Sequence, residues 1–128
     1  MRLLLDTHAL LWFLGNDPQL SATAHDTIES TAQEKLVSVA SLWEIALKLS
    51  LGKLRLPRPF AEVFPHQLEL NGFELLPISC VHLNQLAEMP YHHRDPFDRL
   101  LIAQALADGL TIVTRDIAFS QYPAKTIW

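Results

Sequence analysis

The sequence predicts an α/β fold, a three-layer α/β/α sandwich built on a mostly parallel sheet of four to five strands. Three observations predict it. Leu3 to Leu5 is a continuous apolar run that ends abruptly in a carboxylate, which suits a parallel strand covered on both faces, and further strand candidates recur at Leu36 to Val39, Phe73 to Ile78 and Leu110 to Thr114. Helix-length segments with start and stop signals separate them, which implies βαβ units with right-handed crossovers. No repeat, low-complexity tract or linker interrupts the 128 residues, so residues 1–128 are expected to form a single domain whose core needs no metal or disulfide staple.

Taken in order, Leu3 to Leu5 is the first strand, and it runs directly into Asp6-Thr7. His8 to Leu14 reads as a short helix closed by Gly15-Asn16-Asp17-Pro18, and Ser21 caps a second helix that reaches about Thr31. Leu36 to Val39 is the second strand. Ser41-Leu-Trp-Glu44 has the form of a capping box, which opens a helix ending near Leu51 and Gly52 and places Glu44 in its first turn. Lys53 to Pro59 is a basic, proline-bearing loop, and Phe60 to Leu70 is helical with Pro65 kinking or splitting it.

Phe73 to Ile78 is the third strand, and Pro77 marks it as an edge strand or a strand end. A helix from about Val81 to Glu88 precedes the loop Met89 to Arg94, in which His92-His93 could form a separate transition-metal site with Asp95 but reads more simply as polar loop. Asp95-Pro96 then starts a helix with Asp95 as N-cap and Asp98 at the third helical position, stopping at Gly109. Its sequence from Phe97 to Leu106 has almost no polar face, so it should pack deep against the sheet. Leu110 to Thr114 is the fourth strand, Arg115-Asp116 follows it, and Lys125 to Trp128 adds a short fifth.

Composition narrows the function. Ten basic against fourteen acidic residues give a formal net charge of −4, which excludes nucleic-acid binding through bulk positive charge and requires a local basic patch instead. The single cysteine, Cys80, excludes a disulfide framework and a multi-cysteine zinc site, and it reads as a small core residue. Asp6 interrupts the N-terminal apolar run and Ala9 to Leu14 is too short for a secretory core, so a cytoplasmic protein without membrane attachment is expected. At 49% hydrophobic residues the chain is slightly more apolar than a typical soluble domain, which leaves material for an oligomer or partner surface.

Four carboxylates occupy equivalent positions. Asp6, Glu44, Asp98 and Asp116 each lie just after a strand or at the start of a helix. In open parallel sheets the ligand crevice lies outside the carboxyl ends of the strands. Two carboxylates about 4 Å apart repel by about 4 kcal/mol at an effective dielectric near 20, so a converging set calls for a cation or a shifted protonation. A hard divalent ion is the natural counter-charge for oxygen ligands. Taken singly, Glu44 could complete its capping box, Asp98 complement a helix dipole and Asp116 cap a turn. Four coincidences at one sheet edge are harder to sustain than a site, near which Thr7 and Ser38 add hydroxyls.

Leu-Leu-Asp6-Thr7, the run from Val37 through Trp43-Glu44 to Lys48, Asp95-Pro-Phe-Asp98-Arg-Leu-Leu-Ile-Ala-Gln-Ala, and Ile-Val-Thr-Arg115-Asp116 together resemble the PIN domain, and within it the VapC-type toxins of bacterial toxin–antitoxin pairs. The resemblance spans essentially the whole chain. It implies an endoribonuclease toxin that hydrolyses RNA phosphodiester bonds with Mg2+ or Mn2+, inhibited by a cognate VapB-type antitoxin. Position by position, Asp6, Glu44 and Asp98 match the three core metal-binding acids and Asp116 the more variable fourth, with Asp95 as an additional neighbouring acid. It further implies a homodimer, a higher assembly with the antitoxin, and RNA substrates with transfer RNA among the candidates.

Trp12, Phe13, Leu42 and Trp43 supply apolar material for a groove that would take an antitoxin helix. Lys48, Lys53, Arg55, Arg58, Arg94, Arg99 and Arg115 supply the local positive rim that the total charge requires. The rival from another class is a catalytically inactive PIN-like module that binds protein or RNA. His25-Asp26 invites an HD-type phosphohydrolase, an all-helical class that four strand signals argue against. A response-regulator receiver needs an aspartate ending the third strand, where this chain has none.

Overall fold

The computed structural model describes residues 1–128. Five strands, β1 (Arg2–Leu5), β2 (Glu34–Ser38), β3 (Phe73–Leu76), β4 (Thr111–Val113) and β5 (Lys125–Ile127), form one sheet in the order β3-β2-β1-β4-β5. Every pairing is parallel, with Leu4 opposite Leu36 on one side and Ile112 on the other. The expected edge position of the Pro77 strand and the short fifth strand are both present.

Helices cover both faces, and the strand side chains show why the apolar runs are continuous. Leu3 and Leu5 of β1 pack with α1 (Thr7–Leu14), α2 (Ala22–Glu29), α3 (Val39–Ser50), α4 (Phe60–Val63) and α5 (His66–Leu70) through Leu10, Ile28, Ile45, Phe64 and Leu68. Leu4, between them, points the other way, into a second core with Leu36, Ile112 and the α7 (Pro96–Asp108) residues Leu101 and Ile102. A period of two with apolar residues in both phases leaves no polar face to read. Pro65 splits the segment from Phe60 to Leu70 into α4 and α5, and α7 is buried along most of its length, as its lack of a polar face predicts. No helix is long and apolar enough to cross a membrane.

Several local features differ from the sequence reading. The expected capping box of Ser41 and Glu44 does not form. Ser38 ends β2 and its hydroxyl accepts from the Ala40 N–H at 3.0 Å, so α3 begins at Val39 and Glu44 falls in the second turn. A cap three residues upstream satisfies the first free N–H groups before Ser41 is reached. The capping box sits instead on α6 (Cys80–Glu88), between Ser79 and His82. Cys80 is exposed rather than core, because α6 turns His82 inward in its place. There the ring's Nδ1 accepts from the Ser79 N–H, and its Nε2 meets the Asp108 carboxylate at 2.9 Å, joining α6 to α7.

Arg99 is not on a positive rim. It is 8% exposed, donates to the Pro90 carbonyl and the Tyr122 hydroxyl at 3.0 Å each, and lies over the Tyr91 ring. The Tyr122 hydroxyl also accepts from the His92 N–H, so this guanidinium pins the loop that leads into α7. A charge buried this way is stabilising only while its donors are matched. Tyr122→Phe is expected to destabilise the protein by about 1–3 kcal/mol in urea unfolding, the cost of leaving buried donors unpaired. A change below about 0.5 kcal/mol would show that water reaches Arg99.

Candidate functional site

The strand order sets the location. The chain runs outward from β1 through β2 to β3, then returns to the other side of β1 for β4 and β5. The order therefore reverses between β1 and β4, the place where ligands bind in open α/β sheets, outside the carboxyl ends of the strands. Asp6 and Asp116 follow those two strand ends.

Asp6 is 7% exposed and held at both oxygens. Oδ1 accepts from the Ala9 N–H at 2.7 Å, which makes Asp6 the N-cap of α1, and Oδ2 accepts from the Thr114 hydroxyl at 2.6 Å. The same hydroxyl accepts from the Asp116 N–H at 3.1 Å, so Thr114 ties the ends of β1 and β4 together. The Asp116 carboxylate caps a 3₁₀ turn, Ile117–Gln121, through the Ala118 N–H. That turn had no apolar period to announce it.

Glu44 reaches the edge from the second turn of α3. It is 5% exposed, and Oε1 accepts from the Thr7 hydroxyl at 2.6 Å while Oε2 pairs with Lys48 Nζ at 2.7 Å. Thr7 is the neighbour of Asp6, so the bond draws α3 onto the end of β1. Ser38, the other expected hydroxyl, is used up in capping α3. Asp98 sits in the first turn of α7, whose N-cap Asp95 spends Oδ1 on the N–H groups of Phe97 and Asp98.

A residue that sequence reasoning missed completes the group. His93 Nε2 lies 2.9 Å from Asp98 Oδ2, and one ligand atom each of His93, Asp98 and Asp116 fall within 4.8 Å of one another. Sequence reasoning preferred a polar loop for His92-His93 over a separate metal site with Asp95 and did not join His93 to Asp98, because a donor in an irregular loop carries no period to place it by. The adjacent pair His25-Asp26 lies with Glu29 on α2 at the surface, where His25 Nδ1 stands 3.6 Å from Asp26 and 3.4 Å from Glu29 and the ring packs against Phe13.

Burial dominates the electrostatics. It pushes the Asp6 carboxyl above its usual 3.8, opposed by the Thr114 and Ala9 hydrogen bonds and by His8, and reinforced by Asp116. Burial likewise pushes Asp98 up to about 6; the His93 bond opposes this, while Asp95 and Glu44 add repulsion. Both acids are thus short of positive charge, and the donors are carboxylate oxygens with one imidazole. That chemistry fits a hard divalent cation better than a soft one.

The other expected residues separate. Trp12 packs edge-on against Trp128 and Phe13 against Phe73, and both, with Leu42, line the core. Trp43 alone is 56% exposed, packed edge-on against Phe97. Arg115 covers the Trp12 ring at 4.6 Å, Arg94 is exposed, and Lys48, Lys53, Arg55 and Arg58 line one groove beside Thr7 and His8.

The sequence matches the family model for the PIN domain over residues 3–125. No curated protein matches it in sequence. Among solved structures, the fold is similar to a chain of VapBC2 from Rickettsia felis bound to a promoter DNA fragment, with a TM-score of 0.75 and 18% identity over 99% of this chain and 98% of that one. A chain of FitAcB from Neisseria gonorrhoeae gives a TM-score of 0.68 at 20% identity, covering 98% of this chain and 96% of that chain. A chain of VapBC-1 from nontypeable Haemophilus influenzae gives 0.68 at 14%, covering 99% and 97%. At these identities the likeness is one of fold.

Asp98 makes stability depend on pH. Its folded value of about 6 exceeds the ordinary 3.8, so the stability it contributes is fully present below 3.8 and is lost as pH rises through about 6. The loss is on the order of 3 kcal/mol by neutral pH. Urea unfolding with chelator should therefore show stability falling across that window in the wild type and a flatter profile in Asp98→Asn. An equal decline in the variant would assign the proton to another group.

Proposed function

Because the chain belongs to the PIN domain family, we propose that it is a metal-dependent endoribonuclease toxin, held inactive by a cognate VapB-type antitoxin. The observation that carries the reading is the gathering of buried Asp6 and Glu44 with half-buried Asp98 and exposed Asp116 around the reversal between β1 and β4. In this reading residues 1–128 form a single PIN domain, and the four acids are both the metal ligands and the catalytic residues. The similarity in fold to chains of VapBC and FitAB complexes supports an antitoxin partner. Exposed Trp43, Leu47 and Leu51, four residues apart along α3, support a homodimer that assembles further with it.

When bound, Mg2+ or Mn2+ would activate water and neutralise charge developing on a phosphodiester. The chain's own groups prepare the seat. Asp6 spends one lone pair of each oxygen on Ala9 and Thr114 and keeps the others free, so its carboxylate is fixed but still able to accept. Thr7 and Lys48 hold Glu44 in one orientation, and Lys48 offsets its charge. His93 lies against Asp98 Oδ2 and can take up the proton that this acid releases on ionising. Its side chain is 24% exposed, which gives that proton a way out to water.

Two measurements test this. Purified cellular RNA should be cut by the wild type with Mg2+ or Mn2+, uncut with chelator, and cut at least about a hundredfold more slowly by Asp6→Asn. Folded, antitoxin-free protein that cuts under none of these conditions would favour the inactive binding module. Separately, Mn2+ at a hundredfold excess over its Kd should stabilise the fold by about 2.7 kcal/mol, several degrees in Tm. The shift should shrink in Asp98→Asn; an undiminished shift removes Asp98 from the ligands.

A further inference from the structure

A groove of about 580 Å3 lies between α1, the second half of α3 and the loop that leads to α4. Its floor is apolar, formed by Leu11, Ile45 and Phe64. Its wall is not. Lys48, Lys53, Arg55 and Arg58 line it against only two carboxylates, Asp17 and Glu62. In a chain with ten lysines and arginines and a net charge of −4, four of the cations stand around one cleft.

Those charges are largely unspent. Lys53 and Arg55 are exposed and make no ion pair, and Arg58 meets Glu62 only at 3.9 Å, both side chains well solvated. Exposed pairs of that kind contribute little. The groove also opens onto the acidic edge. Thr7 and Lys48 line it, and both bond the Glu44 carboxylate, at 2.6 and 2.7 Å. His8, exposed and stacked on Trp12 at 5.4 Å, stands among the lining residues and supplies a ring on which a base can stack.

Resting on the ribonuclease reading, we propose that this groove seats the backbone of single-stranded RNA on one side of the bond that is cut, with Lys53, Arg55 and Arg58 contacting its phosphates. A cleft of this volume is of the size that accepts a few units of a flexible strand. Cations alone would hold any polyanion. The direct connection through Thr7 and Lys48 makes this the track into the acids rather than an unrelated patch.

The test uses the full chain carrying Asp6→Asn, metal-free, and a fluorescein-labelled ten-nucleotide oligouridine followed by anisotropy between 50 and 200 mM KCl. Adding Lys53→Ala, Arg55→Ala and Arg58→Ala should weaken binding at least tenfold at the lower salt. It should also reduce the slope of log K against log salt by about 2, at about 0.7 for each phosphate contact on a single strand. Lys35→Ala with Lys125→Ala, which lower the charge elsewhere, should leave the slope unchanged. Because the three groove side chains are exposed, the melting temperature should hold. Tight parent binding that survives the triple substitution would overturn the groove while sparing the ribonuclease reading, and would leave the cleft to a protein partner. An equal loss in the control pair would reduce the effect to bulk charge and overturn it as well. No RNA binding by the parent would sink the ribonuclease reading and the groove with it.

Discussion

Carboxylates gathered at the end of a buried sheet are penalised first by lost hydration and then by mutual repulsion, and the surrounding structure is arranged around both. At an effective dielectric near 20 a pair about 4 Å apart costs about 4 kcal/mol, more than one hydrogen bond returns, since bonds to charged groups contribute about 1.5–3 kcal/mol. The protein answers with several donors at once. Ala9 and Thr114 serve Asp6, Thr7 and Lys48 serve Glu44, and His93 serves Asp98. Even so, burial leaves Asp6 and Asp98 resisting ionisation. The remaining deficit of positive charge is what a divalent ion would fill.

The framework of this arrangement was legible because it rests on backbone direction. Parallel strands bring their carboxyl ends to one edge whatever lies between them, so Asp6 and Asp116 could be placed from the apolar runs before them. Asp95-Pro96 likewise announced α7 with Asp98 in its first turn. What was not legible depends on side chains meeting across the fold. Ser41 to Glu44 has the right spelling for a capping box, yet Ser38 takes the cap. Arg99 looks like a surface cation until Tyr122 and Pro90 close over it. His93 sits in a loop whose course is fixed by that same guanidinium rather than by local propensity.

Charge is also divided in space. The acids gather at the carboxyl ends of β1 and β4, and four of the cations line the groove beside them, with Lys48 bonded to Glu44. A protein of net charge −4 repels a polyanion at long range. Only within about a Debye length, roughly 8–10 Å at physiological salt, does the groove dominate the field. In the proposed reading, electrostatics of this kind favours a strand that is already aligned over weak binding anywhere on the surface, and it makes the approach of RNA sensitive to ionic strength.

Asp6 shows how a structural role and the proposed chemical one can share one side chain. Its Oδ1 caps α1, a bond of about 1 kcal/mol that alanine would lose along with the charge. Asparagine keeps a carbonyl oxygen for the Ala9 N–H, and asparagine is as good an N-cap as aspartate. At the other end its amide NH2 would face the Thr114 hydroxyl, which can rotate to accept in place of donating. That rotation frees the hydroxyl's proton from Asp6 but asks it to go on accepting from the Asp116 N–H, which its two lone pairs allow. Asparagine therefore removes the negative charge while leaving the junction of β1, α1 and β4 bonded, and a difference between the two side chains reads the charge rather than the fold.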